Sequence, residues 1–173
     1  SLSSNYLHGA TTLDGQVAWI TDNVNDLSAL PHNRSLNAWA QASHAIEKPL
    51  PGKPVVFLGG SAADEDRLKT PFGYAGPGLD RFTGSVNGGV ALNYDTTSVN
   101  LTHTFSVLRD AVDGNNDYDT HYTDLTLEVR PNERLTLRPG FQMEHLDQAA
   151  AGESQSYHVS LGSDFIILPD KFW

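Results

Sequence analysis

At 173 residues the chain is long enough for one domain with a sizeable core, and its formal charge of −10 argues against a nucleic-acid partner, whose phosphates need basic residues. It has no cysteine, which excludes a disulfide framework, a thiolate metal site and a cysteine nucleophile. Hydrophobic residues make up 39% of it, and no run approaches the roughly 18 apolar residues of a transmembrane helix, a test that strands with alternate lipid contacts escape.

The N-terminal stretch "SLSSNYLHGA" has neither the basic start nor the apolar run of a signal peptide. From there on, period-two alternation dominates, the pattern of a strand with one apolar and one polar face. It begins weakly in "TLDGQVAWIT", through Leu13, Val17 and Trp19, and continues with small residues in "RSLNAWAQASHAI". "KPVVFLGGSA" is a short apolar run. "FTGSVNGGVALNY" sets Phe82, Val86, Val90, Leu92 and Tyr94 against Thr83, Ser85, Asn87 and Asn93. "SVNLTHTFSV" is the cleanest: Val99, Leu101, His103, Phe105 and Val107 oppose Ser98, Asn100, Thr102, Thr104 and Ser106. "THYTDLTLEVR", "RLTLRPGFQMEH" and "SYHVSLGSDFII" repeat it through Leu125 and Leu127, Phe141 and Met143, and Tyr157 and Val159. Eight strands are predicted, and no convincing amphipathic helix.

The connections carry a second signal. Asp95-Thr96-Thr97, Pro131-Asn132-Glu133 and Pro169-Asp170-Lys171 read as tight turns. "DNVNDLSALPHN", "ADEDRLKTPFGYAGPGLD", "DAVDGNND" and "LDQAAAGESQ" read as long loops, and "EKPLPGKP" as a moderate one. Up-and-down strands joined this way collect the tight turns at one end and the long loops at the other.

That asymmetry, with strands near the 9–11 residues of a tilted crossing, resembles the outer-membrane β-barrel (porin-like) class of Gram-negative bacteria. The likeness runs from about Thr11 onward and rests on pattern; "LTLEVRPNERLTLRPGFQMEH" looks like one strand–turn–strand unit of such a barrel. Phe82, Tyr94, Tyr157 and Phe165 fit an interfacial aromatic girdle. Phe172-Trp173, directly after a turn, looks like the start of a ninth strand. The resemblance implies an all-β, antiparallel, up-and-down transmembrane β-barrel, with residues 1–173 forming one barrel domain or a segment of a larger barrel. It further implies an outer-membrane channel or scaffold passing or exporting hydrophilic solutes, in contact with lipid and lipopolysaccharide, with a plug or partner protein as a variant. The competing reading is a soluble all-β ligand- or carbohydrate-binding domain, but its outer face should be rich in lysine and glutamate, and the polar faces here are mostly Ser, Thr, Asn, Gly and Gln.

Asp124, Glu128, Arg130, Arg134, Arg138 and Glu144 lie on neighbouring strands, on the side opposite the apolar residues. They are candidate lumen-lining residues: a charge ladder in a pore, or a satisfied interior network in a small barrel. The 110–119 loop offers Asp113, Asn115, Asp117 and Asp119, hard oxygen donors suited to Ca²⁺, although the spacing is not that of an EF-hand. The same loop reads equally as a solvated acidic surface. His103 stands on an apolar strand face, with His121 and His145 towards the long-loop end and no His-x-x-x-His pair on one strand face. No Gly-x-Ser-x-Gly elbow occurs, and no cofactor or enzymatic activity is expected.

Overall fold

The structure is a computed structural model that describes residues 1–22, 31–48, 50–69, 76 and 78–165. Nine strands follow one another: β1 (Leu2–His8), β2 (Thr11–Thr21), β3 (His32–Ala45), β4 (Val55–Lys69), β5 (Asp80–Asn93), β6 (Thr97–Asp110), β7 (Tyr118–Asn132), β8 (Leu135–Gln148) and β9 (Gly152–Phe165). Each pairs antiparallel with the next, in the order β1 to β9, within a single sheet. One turn of 3-10 helix, Gly114–Asn116, interrupts the pattern, and no α-helix occurs among the described residues.

The register explains why alternation in single strands becomes a property of the whole sheet. Residues directly opposite one another share a face. One row runs from Val56 through Val90, Leu101, Leu125 and Phe141 to Val159, apolar in every strand it crosses. The row displaced by three residues on β6 lies on the other face, and runs from Asp14 through Gln41, Gly59, Asn87, Thr104, Tyr122 and Glu144 to Ser156. A one-residue slip in any pair would exchange the two sets beyond it. The polar face is not perfectly so: Trp39, Phe57 and Leu146 interrupt it.

No described residue covers the apolar face. No hydrophobic side chain among the described residues is buried, and Val159 and Leu161 are 76% and 73% exposed. The sheet coheres through its backbone ladder and cross-strand side-chain pairs. Some of these pairs demand particular residues. A Cβ on Gly89 would collide with the carbonyl oxygen of Leu101 and the ring of Phe57. Gly52, at φ +80°, turns the β3–β4 connection beneath the Tyr94 ring, where a Cβ would come within 2.8 Å.

Several expectations need correction. The sheet is open, with β1 and β9 as its edges, and is not closed into a barrel. It has nine strands rather than eight, because "SLSSNYLHGA" forms β1 and turns through positive-φ Gly9 onto β2. The segment "ADEDRLK", expected as loop, extends β4: its charges are matched across strands, Asp64 and Asp66 to Arg34 and Glu65 to Arg81 at 2.6 Å. "LDQAAAGESQ" is likewise mostly strand. Gln148 pairs with Gly152, whose φ of +77° allows a tight turn over 149–151. Strands β3 to β9 run 14 or 15 residues, longer than expected. Tyr157 stands mid-strand, opposite Met143, rather than near a strand end. The expected turn at 169–171 and the start of a strand at Phe172 lie outside the described residues.

The end-to-end asymmetry survives in outline. One end of the sheet carries the connections 9–10, 46–54, 94–96 and 133–134, and the other carries 22–31, 70–79, 111–117 and 149–151. The 46–54 and 149–151 segments are the exceptions to short against long.

Candidate functional site on the polar face

The polar face of β6 to β9 brings three of the six predicted lumen residues together, Glu128, Arg130 and Arg138. β7 and β8 pair irregularly between Val129 and Asn132, next to the tight turn, and this end of the two strands gathers the charges. Arg138 is the centre: its Nε donates to Glu128 Oε2 at 3.0 Å, and its Nη1 donates to the Asp164 carboxylate. Arg130 closes on the other oxygen of Glu128 at 2.5 Å. The result is a chain Arg130–Glu128–Arg138–Asp164 running across three strands, exposed except at the half-buried Glu128. Such exposed pairs orient side chains more than they stabilise the fold.

Beside this chain the face is hollow. A depression of about 580 Å³ is lined by Ser98, Asn100, Thr126, Glu128, Arg138 and Ser160 together with Leu127, Pro139 and Leu161, and Gly140 and Gly162 leave its floor without side chains. A Cβ on Gly140 would stand 2.7 Å from Ser160 Oγ. Hydroxyls, an amide and a paired charge around an open floor can exchange hydrogen bonds with the hydration shell of a polar solute.

The other predicted residues are placed differently. Asp124 accepts a hydrogen bond from Gln142 Nε2 at 2.8 Å, two residues along β7 towards the loop end. Glu144 stands opposite Tyr122 and Ser156, further in the same direction. Arg134 sits in the β7–β8 turn, where its backbone N–H donates to Asn132 Oδ1 at 3.0 Å, outside the chain of ion pairs. Asp164, which completes that chain, was not singled out from the sequence, although its place on the polar side of "SYHVSLGSDFII" was visible.

The 110–119 loop does not assemble the expected Ca²⁺ site. Its carboxylates turn onto the loop's own donors. Asp110 accepts from the backbone N–H groups of Val112 and Asp113 and from Asn116 Nδ2, Asp113 from the N–H of Asn115, and Asp117 from the N–H of Asp110. Asp119 lies on β7, on the apolar face, and pairs with Arg109 at 2.6 Å. No group of three His, Cys, Asp or Glu side chains among the described residues is placed to hold one metal ion. A similar self-contained lock closes the base of the β2–β3 connection. There Asp22 accepts from the backbone and side chain of Asn33, and the backbone bond above all holds its carboxyl below the usual range.

No protein-family model, curated protein or solved structure matches the chain. Its functional reading therefore rests on its own residues.

Proposed function

We propose that this chain is a section of the wall of a transmembrane β-barrel in a bacterial outer membrane, with the polar face lining a lumen through which hydrophilic solutes pass. The observation that carries the reading is the segregation of faces across nine registered strands with no buried core. A soluble domain of this size would bury its Val, Leu and Phe side chains against a second layer. Here a largely apolar surface has no layer against it among the described residues, and lipid is the medium that would cover it without one. Strands of 14 or 15 residues rise far enough to cross about 30 Å of hydrocarbon when tilted, with their charged ends outside it.

The hollow beside Arg138 and the hydroxyl- and amide-rich rows above it suit passive passage: polar groups replace part of a solute's hydration, and the longer connections restrict entry. The function is transport or support of transport, without a catalytic step.

Substitutions on the two faces test this reading. Leu101→Arg or Leu127→Arg puts a charge on the face assigned to lipid and is expected to weaken membrane assembly by about 2–4 kcal/mol at mid-depth. Thr102→Arg, on the adjacent polar face, is expected to assemble normally, as judged by resistance to urea extraction from the membrane. The opposite result, damage from Thr102→Arg alone, means that the faces are assigned backwards.

A further inference from the structure

Three imidazoles from three successive strands meet on the apolar face. His121 on β7 lies directly opposite Phe105 on β6 and His145 on β8. His103, two residues before Phe105, completes a diagonal. The ring centroids of His103 and His121 are 5.7 Å apart, and those of His121 and His145 are 6.3 Å apart. Phe105 stacks obliquely against His121 at 4.7 Å, on the side away from His145. His103 is also oriented from behind, since its Nδ1 shares a hydrogen bond of 2.9 Å with Thr123 Oγ1 and its Nε2 is left for another partner.

We infer that His121, together with either His103 or His145, binds a borderline divalent metal ion such as Zn²⁺, Ni²⁺ or Cu²⁺. Imidazole is the ligand these ions share. Two rings bound to one ion through bonds of about 2.1 Å have centroids roughly 4.5–5 Å apart, so each pair has to close by about 1 Å through side-chain rotation. The hydrogen bond to the far nitrogen of His103 is the kind of second partner that fixes a ligating ring. The next row towards the longer connections holds Asp119, Asp147 and Glu153, directly opposite one another; Asp119 is paired with Arg109, and Asp147 and Glu153 draw cations to this part of the face. Among the described residues no third His or acidic group converges with the pair, so water has to complete the coordination, and binding requires that water reach this part of the face.

The test uses the whole protein, purified in detergent without a polyhistidine tag and titrated with Ni²⁺ by calorimetry. The unaltered protein binds one ion. His121→Gln lowers the affinity at least tenfold, and so does the double variant His103→Gln/His145→Gln, which leaves His121 in place. His103→Gln or His145→Gln alone loses less, and His158→Gln, on the opposite face, changes nothing. With Cu²⁺ in place of Ni²⁺, the electron paramagnetic resonance spectrum carries the splitting of two equivalent nitrogens. Unchanged binding by both the His121 and the double variant, an equal loss in His158→Gln, or a one-nitrogen spectrum would overturn the assignment.

Discussion

Arg138 holds two carboxylates from different strands, Glu128 and Asp164, and its removal leaves both without their common cation. If this face lines a pore, Arg138→Ala therefore shifts ion selectivity towards cations. The reversal potential of single channels in a salt gradient measures the shift, and an unchanged potential would place the charge chain away from the conduction path. The membership of this chain was largely readable from the sequence, because Glu128, Arg130 and Arg138 alternate with apolar residues. Its geometry was not. Arg134 has the same charge and spacing, yet it falls in the turn, because a local irregularity in β7–β8 pairing decides where the strand ends. The acidic loop left two readings open for a related reason. Asp and Asn in such density suggest Ca²⁺, but the same residues satisfy free N–H groups of a tight loop equally well. The histidine diagonal depends wholly on register, which joins residues far apart in sequence.

At the scale of the strand, alternation located seven of the nine strands and a short apolar run an eighth, because register makes each strand's pattern continue its neighbour's. The first strand is short, with Leu7 on its polar side, and its weak pattern hid it. Charged strand ends were mistaken for loops, since composition alone does not reveal cross-strand ion pairs such as Glu65 with Arg81. Two predictions belong here. Gly89→Ala forces a methyl group against the β6 backbone and Phe57, and should destabilise the fold by about 1–3 kcal/mol in denaturant titrations. A change below a few tenths would mean that β5 and β6 relax freely around that point. Protease added to intact cells should cut within 114–117, in the 111–117 connection, and spare Asn132, at the end of β7 beside the tight turn at the other end. Cleavage at Asn132 alone would invert the orientation.

For the whole molecule, the nine-strand count has a consequence of its own. The first and ninth of nine alternating strands run in the same direction, so β1 and β9 cannot meet as antiparallel neighbours. A fully antiparallel barrel containing this sheet needs an odd number of further strands between them, ten or more in all, which also removes two exposed edges. This parity depends on β1, which the sequence pattern hid. The central claim remains that the apolar face meets lipid. Its most direct test is the fractionation of native cells, with the size of the protein read in the same experiment. The account predicts recovery in the outer-membrane fraction, release only by detergent, and a closed particle larger than the 18.8 kDa of these residues. A water-soluble protein of 18.8 kDa would contradict it, and the row through Val90, Leu101 and Leu125 would then have to be buried by some other partner.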